Sequence, residues 1–320
     1  SASFKKRDLY SLYELQEIKE LTTALCHLLE SLEVYIFVDE LDKGWDNSED
    51  ARYFIAGLLQ AIQRINGISG SLNIYVSIRK ELFDNIPQIY DDAQKIRGIT
   101  EHIEWSKADL LNFIRLRISD SVSGLDNYTD EEVWGFVFEE TLQYRKSKSF
   151  NYLIDRTQLR PREFLQLVKD CIDQVGTEKR LVNYEDISKA LITYSENKAK
   201  DLASEYRFQF PDLLALFNTF RGGKYALEKD VLDYHLLEIC DGDKNLEGCT
   251  WARKVEYFEL KKILWEVGFL KAWVVGGLKS GRKSGSSYVG HYELSSLNLE
   301  DVTRFQIHPA FWPYFNLKEK

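Results

Sequence analysis

Methionine is missing from the whole 320-residue sequence, position 1 included. A chain of this length ordinarily holds several, so the sequence is expected to begin inside a longer protein or to lack some residues, and the opening Ser-Ala-Ser is compatible with a cloning remnant. No apolar run approaches the roughly 20 residues that a membrane span needs, so no membrane partner is expected. The first residues carry no apolar h-region, which excludes a secretory signal there. The four cysteines, Cys26, Cys171, Cys240 and Cys249, are scattered without CxxC spacing. That excludes a zinc-finger pattern and a dense disulfide framework, and a reducing cytoplasm is the expected compartment. Nor do His27, His102, His235, His291 and His308 show metal-ligand spacing. Positive charge is in deficit, with 42 Lys and Arg against 51 Asp and Glu for a net charge of −9. This disfavours indiscriminate nucleic-acid binding but permits a local basic patch.

What is present reads as a folded chain of two or three domains, 44% hydrophobic and 29% charged. Leu9, Leu12, Leu15, Ile18, Leu21, Leu25 and Leu28 recur at intervals of three and four, predicting a long amphipathic helix. Val34–Val38 is an unbroken apolar run, the pattern of a parallel strand covered on both faces. A helix over Glu49–Ile65, stopped by Asn66-Gly67, and a second buried strand over Leu72–Ile78 complete a βαβ unit. A helix from near Lys80, a break around Pro87 and another strand over Ile99–Trp105 are expected next. Ser106 with Asp109, Thr129 with Glu132, the first-turn Pro161 and Asn183 each mark a helix start. Residues 105–204 therefore read as an all-helical lid. Beyond them, Leu227–Ile239 and Arg253–Val267 are helix candidates, and FLKAWVV, GGLKSGRKSGSS and YVGHYEL read as strand, flexible loop and strand. Helix, helix and β-wing in that order describe a winged helix. The expected fold class is α/β plus all-α plus winged helix, divided as 1–104, 105–204 and 205–320.

The segment VYIFVDELDKGWDN carries the most chemistry. A strand delivers two adjacent carboxylates to its C-terminal end, the edge at which open parallel α/β sheets bind ligands. Asp39 is suited to hold Mg²⁺ through water, and Glu40 to orient or deprotonate an attacking water. The bland reading is that Asp-Glu merely solubilises a strand end. Against it stands the next strand, LNIYVSIR, which ends in Ser77 and Arg79, where a polar or cationic group can sense a γ-phosphate. Arg79 as an ordinary surface arginine is the alternative.

The string DELDKGWD, the strand ending Ser-Ile-Arg, HIEWSKADL entering a helix, and LRPREFL together resemble bacterial STAND-like P-loop ATPases. These belong to the additional-strand class that also holds the AAA+ proteins. The resemblance covers roughly residues 20–200, and a family-like FQIHPAF recurs near the C-terminus. It implies a partial parallel-sheet ATPase core, a helical lid and a winged helix, with ATP and Mg²⁺ as cofactors. It places Asp39 and Glu40 in the Walker B role, Ser77 or Arg79 in the sensor-1 role, and Arg160 and Arg162 as sensor 2 at a lid-helix start. Exposed, solvated arginines are the plain alternative for that last pair. One departure is large: no GxxxxGK[ST] loop precedes Asp39, so nothing evident cradles the β- and γ-phosphates. The sequence alone is not expected to hydrolyse ATP. A look-alike around Gly281-Arg282-Lys283-Ser284 has an extra arginine and no helical period after it, and reads as a wing tip.

Thr250–Gly290 holds eight Lys or Arg against three Glu. Lys254, Tyr257 and Lys261 fall on one face of the predicted helix, and Lys279, Arg282 and Lys283 on the wing, a set suited to duplex DNA. Packing of the winged helix on the rest of the protein is the competing expectation, and the aromatic FWPYF is expected to dock the chain end. Three functions stay open: a regulatory ATPase acting with ATP, a second copy of itself or an effector protein; a non-enzymatic DNA-binding or scaffold protein on a degenerate ATPase fold; and a metal hydrolase using Asp39, Glu40 and Asp42.

Overall fold

Two short parallel strands organise the N-terminal part of the chain. The computed structural model describes residues 16–84, 96, 98–143, 146–242, 246, 248–276 and 285–318. It divides into two compact units, Ser1–Ile103 and Glu104–Lys320. In the first, helix α1 (Gln16–Leu29) leads to β1 (Val34–Val38), α2 (Glu49–Asn66), β2 (Leu72–Val76) and α3 (Lys80–Asp84). Ser48 caps α2, its hydroxyl accepting from the Ala51 N–H at 3.2 Å. Asn66 ends α2 and ties it to the sheet: its amide donates to the Ile74 carbonyl at 3.0 Å and accepts from the Ile74 N–H at 2.8 Å. The strands pair in register from Val34 with Leu72 to Val38 with Val76, a βαβ unit as the periodicity predicts.

Coverage of this sheet differs from expectation. Tyr35, Ile36 and Phe37 are exposed, Phe37 at 76%, and Phe37 and Tyr35 stack on Tyr75 at centroid distances of 5.5 and 6.5 Å. Apolar continuity predicts two covered faces only where layers exist to cover them, and the stripe of α1 is itself exposed at Ile18, Leu21 and Leu28. The expected strand over Ile99–Trp105 does not form; Ile99 and Ile103 face solvent and the stretch joins no ladder. Leu9, Leu12, Leu15 and Pro87 lie outside the described residues.

The second unit starts with α4 (Lys107–Ser121) and α5 (Asp130–Gly135), both opened by complete capping boxes. A small hairpin, β3 (Thr141–Leu142) with β4 (Ser147–Lys148), interrupts what was expected to be purely helical. Then come α6 (Ser149–Ile154), α7 (Pro161–Val175) and α8 (Tyr184–Glu205), the last capped by Asn183 and Asp186. The C-terminal part runs α9 (Leu213–Asn218), β5 (Ala226–Glu228), α10 (Lys229–Cys240), a 3-10 turn Thr250–Lys254, α11 (Tyr257–Glu266), β6 (Leu270–Val274), β7 (Ser287–Val289) and β8 (Arg304–Ile307). Its sheet has the order β5-β8-β6-β7 with antiparallel pairs. β8, formed by FQI of FQIHPAF, went unread as a strand, yet it is the central one joining β5 to β6.

A single apolar core spans both halves of this unit, from Leu110, Phe164 and Leu191 to Phe217, Leu264 and Phe305. Phe217 stacks on Phe269 at 4.2 Å, and Phe311 and Phe315 close the cluster. The FWPYF segment docks as expected, with Trp312 stacked on Tyr225 at 3.9 Å. His308 caps the 3-10 turn Pro309–Phe311, its Nδ1 accepting from the Ala310 N–H at 3.2 Å. That assigns the ring proton to Nε2, which lies 3.2 Å from the Tyr292 hydroxyl.

His308 is wholly buried, and burial first, then the facing cations Lys271, Lys198 and Arg156, hold its pKa well below 6.5. The unfolded chain therefore binds a proton that the folded one refuses. Stability is full above about pH 6.5 and falls as the pH drops below it, by up to ~1.4 kcal/mol per pH unit for one proton. Urea unfolding between pH 7.5 and 5.5 should show this slope, and His308→Asn, which keeps an acceptor for Ala310 without titrating, should flatten it. An equal slope in the variant would assign the acid sensitivity elsewhere.

Candidate functional site

Where β1 ends, the chain turns sharply. Glu40 has φ +59°, a left-handed conformation uncommon for a residue with a side chain. The turn that follows is closed by the Lys43 N–H on the Glu40 carbonyl and the Trp45 N–H on the Asp42 carbonyl, both at 3.1 Å. Gly44, at φ +81°, lets it close. Trp45 is then buried against Ile55, Ala56, Leu82 and Ile96. This tryptophan anchors the acidic loop. The GWD string was visible in the sequence, but only its buried partners reveal the anchoring role.

Parallel pairing brings the ends of β1 and β2 side by side, since the Ser77 N–H donates to the Val38 carbonyl at 2.9 Å. The Ser77 hydroxyl donates to the Asp39 carboxylate. That bond, with a smaller contribution from the Glu40 backbone N–H, holds the Asp39 carboxyl below its ordinary 3.8. Arg79 pairs through Nε with the Asp42 carboxylate at 3.0 Å. Glu40 is exposed and lies 3.4 Å from the Lys43 ammonium. The structure thus gathers Asp39, Glu40, Asp42, Ser77 and Arg79 at one sheet edge. Ser77 answers Asp39, and Arg79 answers Asp42.

An ionised carboxylate beside a hydroxyl suits Mg²⁺, which keeps most of its water and needs few protein oxygens. Asp39 with Ser77 fits that outer-sphere part. The fit ends there: no glycine-rich phosphate cradle precedes Asp39, and among the described residues no group of three or more His, Cys, Asp or Glu is placed to hold a metal by itself. Asp39, Glu40 and Asp42 are not gathered into such a group among the described residues.

The remaining expected residues lie in the second unit. Arg160 is the N-cap of α7 and pairs with Glu205, at the end of α8, at 3.2 Å; Arg162 is exposed in the first turn of α7. Lys254, Tyr257 and Lys261 do not share a helical face. Lys254 ends the 3-10 turn, Tyr257 begins α11, and Lys261 is 1% exposed and paired with Asp233. The break at Val255-Glu256 divides the helix that the sequence suggested. Lys261 is thus withdrawn from any phosphate contact, and Lys271, buried with Glu293 at 3.1 Å, is another interior cation of the basic stretch. Lys279, Arg282 and Lys283 lie outside the described residues. Among the described residues no helix is long and apolar enough to cross a membrane.

Residues 108–203, which span α4 to the end of α8, match the family described as the FunZ-associated C-terminal helical domain. The match covers under a third of the chain and concerns that segment alone. Comparisons with curated proteins and with solved structures gave no match.

The geometry at the sheet edge makes one direct prediction. Ser77→Ala should raise the Asp39 carboxyl toward its ordinary value, because the larger of its two stabilising bonds is lost. A carboxyl-carbon NMR titration reads this; an unmoved Asp39 would mean that the Ser77 bond does not form in solution.

Proposed function

We propose that this chain contributes the water- and magnesium-handling half of a nucleotide-responsive regulatory ATPase. In this reading Asp39 holds Mg²⁺ through water, Glu40 positions the attacking water, and Ser77 fixes Asp39 as the ionised acceptor. Bound Mg²⁺ would neutralise charge developing on the transferred phosphoryl group. The observation that carries the reading is the Ser77–Asp39 bond across the ends of two parallel strands. It sets a hydroxyl beside an acidic strand end, at the kind of edge where open parallel α/β sheets bind ligands. Arg79, held through Nε by Asp42, is in this reading the sensor on the neighbouring strand. Arg160 and Arg162 would report on lid position through the start of α7.

In this reading the phosphate cradle would be supplied from outside these 320 residues, since no GxxxxGK[ST] precedes Asp39. As a finer reading of the second unit, helix, strand, two helices and a sheet ordered β5-β8-β6 suit a winged helix with β7 added at its edge. The burial of Lys261 supports use of that domain for packing within the protein rather than for duplex DNA.

ATP turnover measured on a full-length protein that carries a P-loop should fall by about 10²-fold or more in Glu40→Gln, the scale expected when a positioned base is removed. The 320-residue chain alone should show none. Unchanged turnover in the variant, or a full-length protein without any P-loop, would sink the proposal.

A further inference from the structure

The turn Arg156-Thr157-Gln158-Leu159 belongs in sequence to the helical segment, yet its polar groups reach into the C-terminal one. Gln158 is buried; its amide nitrogen faces the carbonyls of Gly268 at 3.3 Å and Val267 at 3.5 Å, while its amide oxygen accepts from Lys198 at 3.1 Å. Gly268 sits at φ +84°, and a Cβ there would stand 2.0 Å from the Gln158 nitrogen. Any side chain there would have to push the Gln158 amide aside and hold a left-handed backbone. Next to Gln158, Leu159 is held at φ +56°, a left-handed conformation uncommon for a residue with a side chain. It is tolerated where the neighbours on both sides are fixed.

A second set of bonds crosses the same boundary. The Tyr292 hydroxyl donates to the Thr157 carbonyl at 3.4 Å and accepts from Lys271 at 3.2 Å. The Tyr314 N–H donates to the Ser195 hydroxyl of α8 at 3.1 Å. Beneath these bonds one apolar core is shared by α7, α8, α11 and β8. Buried polar groups that find partners only across a boundary penalise every partial opening, because each would be left unsatisfied.

We infer that the helical segment and the C-terminal sheet segment form one cooperative body that moves and unfolds together, with Gln158 in the Gly268 slot as the key between them. A movement imposed on α7 or α8 must then carry β5, β6 and β8 with it, and the sheet cannot swing as a separate wing. The inference goes beyond the nucleotide reading and stands without it.

Native-state hydrogen exchange of the 320-residue chain in rising urea tests it. Peptides from α7 and α8 and those from α11, β6 and β8 should lose protection at the same urea concentration. In Gln158→Ala the two sets should separate, with protection in β6 and β8 falling roughly tenfold or more, the effect of leaving buried carbonyls unpaired. Gly268→Ala should behave likewise. Two separate transitions in the unmodified chain would overturn the single body. Coincident transitions and unchanged protection in both variants would overturn the key.

Discussion

Glu163 and Lys198 face each other at 3.1 Å, each side chain only 9% exposed. Taking both charges out of water costs several kcal/mol per ion, and the pair is tolerable only if the remaining lone pairs and protons are satisfied. Here they are. Glu163 also accepts from the Tyr194 hydroxyl at 2.6 Å and the Gln158 N–H at 3.3 Å, and Lys198 donates to the Gln158 amide oxygen. The pair fixes the start of α7 against the middle of α8 and, through Gln158, fixes both against the loop that opens β6. Burial and the Glu163 carboxylate push the Tyr194 hydroxyl well above its ordinary pKa, so it remains a donor. Removing either charge would strand the other inside, a more costly state than replacing both with apolar groups.

This explains what the sequence could and could not convey. Boundaries set by local chemistry were legible: Ser106, Thr129, Asn183 and Pro161 all start helices where their side chains or ring predict. The two strands described in the first unit and their parallel pairing followed from apolar runs separated by a helical period. Long-range partners were not legible. Nothing in the sequence pairs Glu163 with Lys198, and Lys261 reads as a groove-facing base. Each is instead an interior charge whose partner lies elsewhere in the chain, and period alone gives a face without saying what lies against it. β8 escaped for a related reason: four residues between polar stretches carry little pattern, and only pairing with β5 and β6 makes them a strand.

The two units obey different balances. In the second, aromatic stacking and cross-boundary hydrogen bonds leave large side chains such as Phe164, Phe217 and Phe305 fully buried. In the first, a small cluster gathers around Trp45 and Ile55, while Tyr35, Phe37 and Tyr75 of β1 and β2 remain exposed. Exposed apolar strands of this kind carry a free-energy penalty of about 25 cal/mol for each Å² left uncovered. The cost falls on the same strands that deliver the acidic edge.

That edge repeats the pattern on a smaller scale. Glu40 adopts a left-handed backbone that costs a non-glycine residue roughly 1–2 kcal/mol. The conformation starts the turn that Trp45 anchors, and the Glu40 N–H helps to hold the Asp39 carboxyl low. Leu159 shows the same left-handed geometry at the joint, so an unusual φ alone does not distinguish a site from a structural turn. The difference lies in what the turn presents. At Leu159 the adjacent polar groups are consumed by buried partners, whereas at Glu40 the turn leaves two adjacent carboxylates, one charge-stabilised by Ser77, open to solvent at the end of a parallel strand. The proposed nucleotide reading needs such accessible charge, which is why it rests on Asp39 and Glu40 rather than on Lys261, which is buried and paired with Asp233.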